Sequence, residues 1–122
     1  MILAVAVGLA AAVGAVCRYA LDLVIQHRHD SILPWGTFTI NASGSLLLGL
    51  VTGLGLHHGL PHAATVVLAA GFAGGYTTWS TWAWESLAMA EDGSRVEGTA
   101  NIAGSLVVGL AAAGVGLALA AA

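Results

Sequence analysis

A chain of 122 residues with 58% hydrophobic and only 7% charged side chains cannot cover a water-exposed surface, since soluble proteins carry roughly 25% charged residues. Its net charge of −3, from three Arg, no Lys and six acidic residues, excludes a basic face for nucleic acid. Lipid is therefore the expected solvent, and the length suits one domain.

Four segments reach the roughly 20 apolar residues that a spanning helix needs. The first runs from about Ile2 to Ile25, with Arg18 and Asp22 near its end. Cys17 is the only cysteine, so no internal disulfide forms. A cleavable leader ending before Cys17 is disfavoured, because no Lys or Arg precedes the apolar run and Val16 sits where cleavage needs a small residue. The polar stretch Gln26 to Ser31 follows. The second segment runs from about Pro34 to Leu56, and Pro34 suits the first turn of a helix. His57, His58 and His62 cluster on the next connection, which reads as a solvated loop rather than a metal site. The third segment runs from about Pro61 to Ala90. The linker Glu91 to Glu97 then holds four of the nine charged residues, and the fourth segment runs from about Gly98 to Ala121. Short connections make neighbouring helices antiparallel, and four crossings put both termini on one side.

The third segment has a fault at mid-span, Gly71-Phe72-Ala73-Gly74-Gly75-Tyr76-Thr77-Thr78. Such a stretch is either a close-packed glycine patch in an intact helix or a break. A break survives at that depth only when buried in protein or lining a watery cavity, and its freed carbonyls can then serve a cation. After the fault comes Thr77-Thr78-Trp79-Ser80-Thr81-Trp82-Ala83-Trp84-Glu85, unusually polar and aromatic for a spanning segment. Trp79 and Trp82, three apart, share a face. Aromatic edges carry positive potential, so these edges and the Ser80 and Thr81 hydroxyls can meet a small anion without a full positive charge. Binding that weak suits a pore, which must also release its ion. Trp84 fits an interfacial belt. Glu85 is either an anchor at the membrane edge or a partner of Arg18.

The second and fourth segments share a pattern. Asn41-Ala42-Ser43-Gly44-Ser45-Leu46-Leu47-Leu48-Gly49-Leu50 and Asn101-Ile102-Ala103-Gly104-Ser105-Leu106-Val107-Val108-Gly109-Leu110 agree at six of ten positions. The spacing of four lines up Asn41, Ser45 and Gly49 on one helix face, and Asn101, Ser105 and Gly109 on another. Small residues at this spacing also make ordinary packing seams. The asparagines tilt the reading toward a site, because a buried amide in lipid must face protein or water. No Ser, His and Asp arrangement, metal-spaced Cys or phosphate loop is present, so the chain does not read as an enzyme.

Together these stretches resemble the Fluc/CrcB fluoride-channel family. Gly14-Ala15-Val16-Cys17-Arg18-Tyr19 is similar to its first-helix GAxxRY motif, and Gly36-Thr37-Phe38-Thr39-Ile40-Asn41 with Gly44-Ser45 to its GTxxxN…GS motif. Gly71 to Trp82 resembles its long GFxGGxTTFSTF signature, and Ser105 to Gly109 its fourth-helix SxxxG. The resemblance implies an all-α membrane protein of four transmembrane helices with the third broken mid-membrane, sited in the bacterial inner membrane. It implies an antiparallel, dual-topology homodimer that exports fluoride passively along the subunit interface. It also implies a structural sodium ion (Na+) at the dimer centre, held by the Gly74 and Thr77 carbonyls. Carried over residue by residue, the pore falls on Asn41, Trp79 and Trp82 with Ser80 and Thr81, and the fourth-helix track on Asn101 and Ser105. Arg18 and Glu85 are structural polar residues. The chain departs from the family in having Trp79 and Trp82 for two phenylalanines, Tyr76 for a third, and Asn101 where Tyr is frequent. An indole adds bulk and an N–H donor. Rival readings are a small proton-coupled multidrug exporter and a non-conducting partner subunit of a heterodimer. The exporter needs a carboxylate deep in its first helix, and this first segment carries only Asp22 near its end.

Overall fold

A computed structural model describes residues 1–28 and 31–122, and every regular element among them is helical. His29 and Asp30, within the polar stretch after the first segment, lie outside the described residues. The elements are α1 (Ile2–Gln26), α2 (Trp35–His57), α3 (His62–Val66), a π-helical stretch (Val67–Ala73), α4 (Gly74–Tyr76), α5 (Trp79–Glu91) and α6 (Arg95–Ala121). Three of them, α1, α2 and α6, are long and apolar enough to cross a membrane.

The third apolar segment is not one helix. It runs helically from His62 to Tyr76, leaves helical geometry at Thr77 and Thr78, and resumes at Trp79. Thr77 has φ −77° and ψ 163°, and Thr78 has φ −146° and ψ 124°. The glycines Gly74 and Gly75 remain helical, so the interruption falls on the two β-branched residues after them. Helix α6 begins at Arg95, a turn ahead of the expected Gly98, with Glu97 in its first turn, where a negative charge complements the helix dipole. Pro34 immediately precedes α2, and its ψ of 73° is non-helical. His57 ends α2 and His62 opens α3, and among the described residues no three His, Cys, Asp or Glu side chains stand close enough together to hold a metal ion.

Glycine sets the spacing between helices. A Cβ at Gly49 would collide with the Ala113 carbonyl of α6, and one at Gly116 with the Leu46 carbonyl of α2. Likewise, a Cβ on Gly14 or Gly75 would collide with the carbonyls of Phe72 and Ala11. Small residues let backbones approach closely where no hydrophobic force drives helix association. Gly71 packs against Val7 and Ala10, and Gly14 against Tyr76, so residue numbers rise together and α1 runs parallel to the His62–Tyr76 stretch. The interior mixes small and polar residues (Gly44, Gly53, Thr37, Ser86 and Asn101) with the apolar Ile40, Val51, Trp82 and Met89. The exterior is large and apolar: Val16, Leu110 and Leu119 stand well exposed. Large apolar side chains facing outward are what a lipid solvent permits.

Candidate functional site

Termination of the helix at Tyr76 is local chemistry. Both the N–H and the Oγ1 of Thr77 donate to the Ala73 carbonyl, at 2.9 and 2.8 Å. The next N–H, from Thr78, would reach the Gly74 carbonyl in a continuing helix. It donates instead to Asn41 Oδ1 at 2.9 Å, and Asn41 Nδ2 donates to the Thr78 carbonyl at 2.9 Å. The amide of α2 thus takes both polar groups of one interrupted residue. Thr78 then starts α5. Its Oγ1 accepts from the Thr81 N–H at 3.3 Å and lies 2.9 Å from the Thr81 hydroxyl. That is an N-cap.

The cap has a consequence for the carbonyls. The Thr81 N–H would have served the Thr77 carbonyl, and it is taken by Thr78 Oγ1. Among the described residues no donor replaces it there, nor at Gly74. Gly74 is exposed and Thr77 half-buried. The interruption therefore leaves two backbone oxygens as open acceptors of the hard type that alkali and alkaline-earth cations take. Before the interruption, the Tyr76 hydroxyl meets Ser43 Oγ at 2.8 Å, and the Tyr76 ring stacks on Phe72.

A groove of about 450 Å³ opens beside this segment. Asn41, Gly74, Thr77, Trp79, Trp82 and Ser105 line it, drawn from α2, the third segment and α6. Trp79 and Trp82 pack with ring centroids 4.5 Å apart, tilted by 57°. Trp79 is 71% exposed, whereas Trp82 is 7% exposed. Ser105 Oγ lies 3.5 Å from Asn101 Oδ1.

Three expected site residues fall elsewhere. Ser80 is exposed outside the groove. Thr81 lines a separate pocket of about 190 Å³ with Arg18, Tyr19 and Asp22. Asn101 is turned inward at 5% exposure, bonding Ser86 Oγ at 2.8 Å, and borders a pocket of about 150 Å³ with Trp35 and Phe38.

Among the described residues, the pairing of Glu85 with Arg18 does not form. Glu85 Oε1 accepts from Thr37 Oγ1 at 3.0 Å, and its buried Oε2 has no partner there. Arg18, one turn before Asp22 on α1, opens instead onto the Thr81 pocket. Glu85 faces a wider cavity of about 550 Å³ at the α1–α2 end, shared with Asp22 and Asp92.

Sequence reasoning missed Thr37, Ser43, Thr78 and Ser86. Thr78, a threonine just before a helical stretch, was a readable N-cap signal. The other three depend on contacts between helices distant in sequence.

The sequence is similar to known proteins over most of its length. A family model described as CrcB-like protein, Camphor Resistance (CrcB), matches residues 5–117. A protein of Frankia casuarinae named fluoride-specific ion channel FluC 1 is 45% identical over 116 residues, covering 90% of this chain and 89% of that one. One of the same name from Symbiobacterium thermophilum is 44% identical over 117 residues, covering 94% of each chain. Another from Streptomyces avermitilis is 41% identical over 107 residues, covering 88% of this chain and 86% of its own.

Proposed function

The chain belongs to the CrcB-like family, and from that premise we propose that it is a multi-pass membrane channel selective for fluoride, letting the ion leave the cytoplasm passively down its gradient. It is not an enzyme, because no chemical step is involved. The observation that carries the reading is the groove in which Asn41, Trp79, Trp82 and Ser105 gather beside the interrupted backbone. Fluoride sheds strong hydration on entry, so weak donors must replace water in turn without holding the ion. Amide, hydroxyl and aromatic edge in one groove suit that task better than a cationic side chain would.

The finer architecture is proposed on the same basis. The third segment crosses the membrane as its two helical pieces, giving four crossings with the interruption at mid-depth. Two chains insert in opposite orientations and pack with their grooves facing along an antiparallel interface. The Gly74 and Thr77 carbonyls of both copies then face a shared centre and hold a sodium ion. The support for this is their lack of helical partners and their hard-oxygen chemistry. Bound sodium would supply charge that fixes the interface and conduct nothing itself.

The test is fluoride efflux from liposomes containing only this purified chain, with fluoride inside and a potassium ionophore to clamp the voltage. Efflux with chloride retained is the expected result. Absence of fluoride efflux from a folded, dimeric preparation would overturn the channel reading. Replacing all sodium by a bulky organic cation should abolish efflux, and efflux that persists would remove the ion from the proposal.

A further inference from the structure

Trp82 adds bulk and one hydrogen-bond donor relative to a phenylalanine, and the fold has a place for the donor. The indole lines the groove against Trp79, yet its Nε1–H donates away from the groove to the Asn101 carbonyl of α6 at 3.4 Å. That carbonyl has two lone pairs, so it can serve its own helix and still accept a second donor. The Asn101 side chain closes a circuit. Its Nδ2 donates to Ser86 Oγ at 2.8 Å, and Ser86 Oγ donates to the Trp82 carbonyl at 2.8 Å. Ser86 and Asn101 are 3% and 5% exposed. Both functions of the Ser86 hydroxyl are thus used, one on each helix. Gly98 makes the approach possible, since a Cβ there would lie 2.7 Å from the Ser86 carbonyl.

We infer that Ser86 and Asn101 form a lock that keeps the Trp82 indole N–H out of the groove, so that Trp82 offers a passing anion only its C–H edge. The consequence for conduction rests on the fluoride-channel reading, while the lock itself is a statement about hydrogen bonds. An N–H aimed at a partly dehydrated fluoride makes a charge-assisted bond, stronger than a neutral one. A pore residue that binds so firmly slows departure, and conduction requires an ion that can leave. The aromatic edge is a weaker host. Ser86 never touches the ion in this scheme. It is a positioning residue, acting through Asn101 and through the backbone of Trp82.

The experiment labels the indole nitrogens of the purified full chain in micelles and follows their N–H signals by NMR. The four tryptophans give four signals, and Trp82→Phe identifies one of them. In the otherwise unaltered chain, the Trp82 signal should stay in place during a sodium fluoride titration that uses sodium chloride as the control. In Ser86→Ala it should exchange with deuterium about tenfold faster, as loss of one net hydrogen bond implies. It should also move with fluoride. Liposome flux supplies the second readout. Ser86→Ala should slow fluoride efflux in the native background and change nothing further in the Trp82→Phe background, because no indole N–H remains to be freed. A merely structural Ser86 would slow both backgrounds alike, and that outcome overturns the lock. So does a native Trp82 signal that moves with fluoride, a measurement that needs no Ser86 variant to fold. A native chain that keeps a slowly exchanging Trp82 signal but passes no fluoride supports the lock and counts against the channel reading alone.

Discussion

Asn41 holds Thr78 by both of its backbone polar groups, accepting its N–H and donating to its carbonyl at 2.9 Å each, across 37 positions of sequence. A side-chain amide here does what a peptide group does in a continuous helix. Removal of Asn41 therefore strands two polar groups at once, each costing about 1–3 kcal/mol when buried and left unmade. Asn41→Ile should lower fluoride flux and also lower thermal stability in detergent. A variant that loses flux while melting at the native temperature would show that Asn41 serves the ion path and not the backbone.

The glycine seam between α2 and α6 predicts a sharp positional contrast. Gly49→Ala and Gly116→Ala each drive a methyl group into a carbonyl of the facing helix. Overpacking of this kind costs typically about 1–3 kcal/mol. At Gly8 a methyl group would meet nothing within 4 Å among the described residues, so Gly8→Ala should be neutral or slightly stabilising. Thermal melting of the three variants in one detergent is the check, and equal melting would show that the seam is not tightly packed.

Thr37 is the partner of Glu85, bonding Oε1 at 3.0 Å, while Oε2 stays buried and unpartnered among the described residues. Thr37→Val keeps the shape and removes the donor. It should destabilise the chain by about 1–3 kcal/mol, the cost of an unsatisfied polar group. Thr37→Ser, which keeps the hydroxyl, should recover most of that loss. Comparison of the two variants by chemical or thermal unfolding decides the matter, since loss of packing alone would make Ser the worse substitution.

Orientation follows from where the three arginines sit. Arg18 is near the end of α1, Arg28 just beyond it and Arg95 at the start of α6, all toward the end of the bundle that holds the Asp22, Glu85 and Ser94 cavity. The opposite end, with both termini and His57 to His62, has no Arg or Lys. The positive-inside bias is thus two, or three with Arg18 counted, and one added charge can flip so weak a topology. Reporters fused to the C-terminus should give signal on both sides of the membrane. Signal from the outer side alone would point to an obligate partner chain of opposite orientation.

The membrane character, three long apolar helices and the main motifs were legible in the sequence because they depend on composition and local spacing. Lipid solvent follows from 7% charge, and the small-residue faces of α2 and α6 follow from a period of four. The fault in the third segment was legible too, as a region holding glycines and then threonines. What the chain alone could not specify was which residue leaves the helix. Glycine weakens a helix by its own flexibility, yet Gly74 and Gly75 stay helical and Thr77 and Thr78 do not.

That choice belongs to tertiary structure, because an unmade helical hydrogen bond must be replaced, and the replacements come from elsewhere. Asn41 on α2 takes the Thr78 peptide, and Tyr76 reaches Ser43 on the same helix. The fate of Asn101 was hidden for the same reason. By period it shares a face with Ser105, which lines the groove, but Ser86 on α5 captures its amide and Trp82 its carbonyl. Sequence determined which polar groups had to find partners in a solvent that offers none. Only the packing of the helices decided which partners they found.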